Sequence, residues 1–241
     1  MTKFLPRVLA FALVCAAALA ICALRAAPQV AVRHSQGILH GFLIGRSEDG
    51  EAIAAGGLSQ IARGERVTVH TELHFKDGSL QDETTVYSQR GRLALVSDHM
   101  IQRGPQFKRP MEMTVVRASG RVTVNYADDD GNNKTATETM SLPLDLANGI
   151  VPTLLQEVAA GTPKILASMV VAAPKPRLVK LTITPQGDKQ PPDSHVWIAQ
   201  GEAPILVKSE GSLFEGGPIW RIELASPVWP KGGSEESKEG R

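Results

Sequence analysis

Three side chains that ligate metals, His70, Glu72 and His74, stand at every second position of one short stretch. In an extended strand alternate residues project to the same face, so two imidazoles and a carboxylate would share one side, a ligand set for a divalent transition metal. The spacing limits it. At about 3.3 Å per residue, His70 and His74 stand about 13 Å apart and each about 6.6 Å from Glu72. Imidazole nitrogen meets zinc at about 2 Å, so one ion takes Glu72 and one histidine but hardly both. Further ligands would have to come from elsewhere, and His34, His40, His99 and His195 are the other histidines. Thr68 and Lys76 share the same parity, and a solvated polar strand face is the simpler account.

The acids Glu83, Asp98 and Glu112 would make a carboxylate pair for acid–base work if two of them met across strands. A metal-dependent hydrolase built on the His70/Glu72/His74 face could draw on Asp98 and His99 as helpers. Other motifs are absent or incomplete. There is no phosphate-cradling glycine loop, and Gly57-Leu58-Ser59-Gln60-Ile61 lacks the second glycine of a nucleophile elbow. Asp128-Asp129-Asp130-Gly131-Asn132-Asn133 lacks the ligand spacing and closing glutamate of a calcium loop, and suits a hairpin turn. Lys108-Arg109 and Lys175-Pro176-Arg177 are too small to neutralise a nucleic-acid backbone. The sequence therefore implies no cofactor and no nucleic-acid partner.

The elements that would carry these side chains read as antiparallel β. Val67, Val69, Thr71, Leu73 and Phe75 alternate with Thr68, His70, Glu72, His74 and Lys76, the signature of a half-buried strand, and Asp77-Gly78 supplies a turn. β-rich stretches follow over 83–88, 92–97, 111–116, 121–126 and 134–140, with turns at Ala118-Ser119-Gly120 and Asp129-Asp130-Gly131. Further strands are expected over 177–184, 196–199, 205–208 and 219–224. Consecutive hairpins make a meander, and the fold class expected is mainly β: a twisted antiparallel sheet forming a half-barrel or barrel-like shape. Leu146, Ile150, Leu154, Leu155 and Val158 recur at helical spacing between Asp145 and Gly161, with regular helix expected from near Pro152. This single amphipathic helix should cover the open side or edge of the sheet.

Lys3 and Arg7 precede an uncharged apolar run from Val8 to Leu24, and Ala26 and Ala27 follow it, the order of a secretory signal. The reading is a signal peptide or uncleaved signal anchor over 1–27, one β-rich domain over 28–230 and a disordered tail over 231–241. The whole chain of 241 residues has formal charge +1 and two cysteines. Without the leader, 23 basic and 25 acidic residues remain and both cysteines are gone, so the exported body would rely on its core alone. An aromatic share of 5% leaves few rings for stacking. Three tryptophans, Trp197, Trp220 and Trp229, fall near the C-terminus, which makes the final strands the expected ligand-facing wall.

The stretch from Phe75 to Gln89, FKDGSLQDETTVYSQ, with Ser97-Asp98-His99, Arg103-Gly104-Pro105 and Leu146-Ala147-Asn148-Gly149, resembles a group of uncharacterised secreted bacterial proteins sharing a domain of unknown function. The resemblance covers about the middle half of the chain. It implies secretion, a bacterial origin and a β-rich body, and transfers no functional residue. In layout, the leader, long meander and covering helix are similar to periplasmic half-barrel carriers of lipid or lipoprotein chains, a likeness of architecture only.

Together these readings favour an exported cell-envelope protein without catalytic activity, a binding or carrier module for an apolar ligand or partner segment. Met100, Met111, Met113 and Met140 in the meander suit an adaptable apolar surface. The alternatives are the metal-dependent hydrolase and a structural or assembly protein of the envelope. The expected partners are a lipid or other apolar ligand, or an envelope protein, with membrane contact only through an uncleaved leader. The localisation expected is the periplasm or outside the cell.

Overall fold

The structure is a computed structural model that describes residues 30–158, 165–183, 194–199, 204–214 and 216–228. The segments 1–27 and 231–241, expected from sequence to be a leader and a disordered tail, lie outside the described residues, as do Gly161 and Trp229.

Period-two hydrophobicity organises the body. The strands are β1 (Leu39–Arg46), β2 (Ala52–Arg63), β3 (Arg66–Phe75), β4 (Leu80–Ser88), β5 (Ala94–Arg103), β6 (Met111–Val116), β7 (Arg121–Ala127) and β8 (Asn133–Thr139). After a short helix α1 (Val151–Gln156) come β9 (Ile165–Val171), β10 (Arg177–Ile183), β11 (Ser194–Ala199), β12 (Ile205–Gly211) and β13 (Trp220–Val228). Eleven of these strands form one antiparallel sheet in the order β11-β12-β13-β1-β2-β3-β4-β5-β6-β7-β8, and β9 with β10 forms a separate hairpin. The fold is therefore mainly β, an antiparallel meander with one helix against it. The sheet does not close: β11 and β8 end it on opposite sides. β8 is almost wholly exposed and carries Lys134 and Glu138, charges that discourage pairing with another chain at an open edge.

Inward side chains form two apolar clusters on one face. The larger gathers Val67, Tyr87, Leu95, Val115, Val122 and Val124 from the sheet with Leu146, Ile150 and Leu154 from the helical region and Ala167 and Val170 from β9. The smaller gathers Leu43, Ala54, Leu73, Phe75, Phe107, Trp220 and Leu224, with Phe107 edge-on to Phe75 at 5.8 Å and Trp220 5.0 Å from Phe75. Small residues in β2 let the strands approach closely: a Cβ on Gly56 would lie 1.7 Å from the Glu72 carbonyl oxygen.

α1 is only six residues long, shorter than the apolar spacing suggests, because Gly149 at φ +64° breaks the backbone before it. Pro152 sits in its first turn, where a missing N–H costs nothing. Asp145 does not cap it. Its carboxylate instead accepts from the Ser168 hydroxyl at 2.9 Å and Lys180 Nζ at 3.4 Å, and Asn148 exchanges two 2.9 Å hydrogen bonds with the Val170 backbone. Leu146-Ala147-Asn148-Gly149 thus docks the β9–β10 hairpin over the inner face of the sheet. Glu157, buried at the end of α1, accepts backbone N–H groups of Arg33 at 2.5 Å and His34 at 2.9 Å and ties the N-terminal segment to the helix. Among the described residues no helix is long and apolar enough to cross a membrane.

Candidate functional site

Between the two clusters the inner face is open. A cleft of about 1370 Å³ runs there, larger than the roughly 300–1,000 Å³ of a typical small-ligand pocket. Its walls are apolar: Val69, Met100, Met111 and Met113 on the side of the larger cluster, Leu58, Leu206, Phe214 and Leu224 on the other, with Val151 and the β9–β10 hairpin roofing it. At one margin Arg109 is paired with Asp129 at 3.4 Å, joining the β5–β6 and β7–β8 connections. Met100 and Met113 belong to the core and line the cleft as well, whereas Met140 packs against the core and does not line the cleft.

The floor is different. Gln60, Thr71, Gln81, Glu83, Thr85, Asp98 and Gln102 run across β2 to β5 as a polar belt between the clusters. Gln102 Nε2 donates to Gln81 Oε1 at 2.7 Å and to the Leu213 carbonyl at 2.9 Å, and the Thr85 hydroxyl donates to Asp98 Oδ1 at 2.8 Å. Asp98 is 1% exposed, yet its second oxygen, Oδ2, is buried without a partner, as is Gln156 Oε1 on α1. Thr85 lies directly opposite Asp98, and Glu83 opposite Met100, so Glu83 and Asp98 are diagonal neighbours. Burial pushes the Glu83 carboxyl up to about 8, with the charge of Asp98 adding to it. Burial likewise raises Asp98, to about 6, against the Thr85 hydrogen bond and the nearby His99, which both pull it down. Gly149 covers Thr85 and Asp98, and a Cβ there would lie 1.9 Å from Thr85 Oγ1 and 3.0 Å from Asp98 Oδ1.

A bulge puts Asp98 inside. Val86 pairs with Ser97 but Tyr87 pairs with Leu95, so Val96 is an extra residue that reverses the parity of the rest of β5. Leu95, Asp98, Met100 and Gln102 all face inward because of it, and His99 faces out. Of the two helpers considered for the His70/Glu72/His74 face, Asp98 therefore lies on the opposite face and only His99 shares that side. Of the three acids, the structure brings Glu83 and Asp98 together and leaves Glu112 on the outer face, where its Oε1 sits 2.7 Å from His99 Nε2.

The outer face carries the predicted metal ligands. Glu72 and Asp82 stand directly opposite each other on β3 and β4. His70 Nε2 lies 3.2 Å from Asp82 Oδ2, and His74 contacts Glu72. One ligand atom each from His70, Glu72 and Asp82 falls within 4.8 Å of the others. The neighbouring strand thus supplies the ligand that a single strand lacks, and His74 is not part of that group of three. Facing like charges destabilise a strand pair, and the two histidines offset them.

The final strands line the cleft as expected, but not through their tryptophans. Trp220 is buried in the smaller cluster, and Trp197 lies on the edge strand β11, stacked on His195 at 5.5 Å and covered by Lys208 Nζ at 3.7 Å. Neither lines the cleft, because an indole fills a core or caps an edge as readily as it walls a ligand. Phe214, Leu206 and Ile219 line it from this region instead. Asp128 behaves as a turn residue: its Oδ1 accepts the backbone N–H groups of Asp130 and Asn132 at 3.1 and 2.8 Å. No protein-family model matches the chain, and neither a curated protein nor a solved structure is significantly similar to it.

Proposed function

We propose that the chain is an exported bacterial envelope protein without catalytic activity, which carries an apolar ligand or an apolar partner segment in the cleft of its sheet. The observation that supports this is the open cleft itself: a sheet that needed only a core would fill its inner face, and this one fills two ends and leaves the middle open between apolar walls. Burial of apolar surface supplies about 25 cal/mol per Å², and a flexible chain lying among Met100, Met111 and Met113 gains it without a rigid fit. The protein purified from a bacterial host without detergent is expected to release lipid on solvent extraction and to enhance the fluorescence of a hydrophobic probe. Neither extractable lipid nor probe binding would remove the reading.

A second reading rests on Asp82. With His70 and Glu72 it offers three ligands and leaves a fourth position open, the arrangement of a catalytic rather than a structural zinc ion, which keeps the metal-dependent hydrolase as the alternative. Melting curves with and without zinc decide it. Coincident curves exclude the metal site, and a rise abolished by His70→Ala together with Asp82→Asn supports it.

A further inference from the structure

The apolar walls explain why a chain-like ligand would enter the cleft and leave its floor unexplained. Setting a half-buried acid beside a fully buried one is costly unless a partner meets them, and the protein supplies only part of one. Thr85 satisfies Asp98 Oδ1, Oδ2 remains buried and unpartnered among the described residues, and Glu83 feels burial and the charge of Asp98 with no cation among the described residues offsetting them. Lys108, Arg109 and Arg177 border the cleft but are exposed.

We infer that the Glu83–Asp98 pair is a head-group site, and that the cleft selects amphiphiles carrying a primary ammonium at the end of an apolar chain. The inference rests on the carrier reading and names its ligand class. An ammonium brings three donors and one positive charge, so it satisfies Asp98 Oδ2, reaches Glu83 and favours ionisation of that carboxyl beside Asp98. A hydroxyl head mends only the missing hydrogen bond. A carboxylate head meets like charge and is refused. The open Oε1 of Gln102, whose Nε2 is already committed to Gln81 and Leu213, is a further acceptor on the same floor.

The test uses three probes with one chain length, dodecylamine, dodecanol and dodecanoate, titrated calorimetrically into the purified chain at pH 7 below their micelle concentrations. The amine is expected to bind about tenfold more tightly than the alcohol, as a charge-assisted hydrogen bond exceeds a neutral one, and dodecanoate more weakly than either. Asp98→Asn and Glu83→Gln, both isosteric, are expected to bring amine and alcohol to equal affinity while alcohol binding persists, and Asp82→Asn on the outer face is expected to keep the preference. Equal affinity for amine and alcohol in the unaltered chain, or a preference that survives both inner substitutions, overturns the head-group site and leaves the carrier reading standing. No binding of any probe overturns both.

Discussion

On the outer face of the sheet Glu72, Asp82 and Glu112 each touch a histidine, whereas on the inner face Glu83 and Asp98 have a threonine and each other. The two sets lie on the strands β3 to β6 and meet on β4, where Asp82 adjoins Glu83 in sequence. Their chemistry diverges all the same. Hydrogen bonds from His99 and then Asn125 hold the Glu112 carboxyl below its ordinary range, while burial holds the inner pair above it. The pleat, by sending successive residues to opposite faces, converts one step along the chain into a change of solvent. A carboxylate's behaviour here is decided by parity before any neighbour acts on it.

The sharpest way to break the comparison is to place a new acid on each face. Val115 is fully buried among the larger cluster, and Val115→Asp is expected to cost about 4 kcal/mol or more, enough to leave the chain unfolded by circular dichroism at pH 7. Thr114→Asp, one residue away on the outer face, should change stability by about 0.5 kcal/mol or less. Equal effects would show that the inner face is as wet as the outer one.

Next in size is Gly149→Ala. Its φ of +64° disfavours a side chain, and the new methyl would collide with Thr85, for an expected loss of about 2–4 kcal/mol in urea denaturation. Lifting the loop should also wet Asp98 and flatten the dependence of stability on pH.

That dependence has a definite sign. Folding raises the pKa of both inner acids, so they cost nothing below the unfolded carboxyl value of about 4, and the cost grows as pH climbs through 6 toward 8. Asp98→Asn is therefore expected to stabilise the chain by about 1–3 kcal/mol at pH 8.5 and to have no effect at pH 4. Urea titrations at the two pH values measure it, and a benefit that is independent of pH would contradict the assigned burial.

Smallest is the outer face. His99→Ala removes the partner of Glu112, both of them well exposed, and should cost about 0.5 kcal/mol or less at pH 7. Because the pairing lowers the Glu112 pKa, the loss should vanish as pH falls below the usual carboxylate range.

The sequence carries the meander plainly where apolar and polar residues alternate, as over β3, β6 and β7, and the turn at Asp128 is legible from its composition. It hides β1, β2 and β9. Leu39–Arg46 and Ala52–Arg63 are interrupted by Gly41, Gly45, Gly56 and Gly57, so the period of two is diluted by residues that pack through their backbone. β9, ILASMVV, faces both the sheet and β10 and shows no clean alternation. Of the candidate site, His70 and Glu72 stand out by spacing, but Asp82 joins them only through the β3–β4 register. Of the inner acids, Asp98 is obscured by the bulge: strict alternation from Leu95 would turn His99 inward and Asp98 outward. A usable signal existed in Thr71, a polar residue on the apolar parity between Val69 and Leu73, which marks where the belt crosses β3.

The extra residue at Val96 also has a genetic consequence. Deleting that one codon would preserve the reading frame, the hairpin turns and nearly all of the β5 ladder, while exchanging the faces of everything from Ser97 to Arg103. Asp98, Met100 and Gln102 would move to solvent, and His99 and Ile101 would enter the cleft. Substitutions reshape this floor one side chain at a time, whereas a single three-base event replaces it whole.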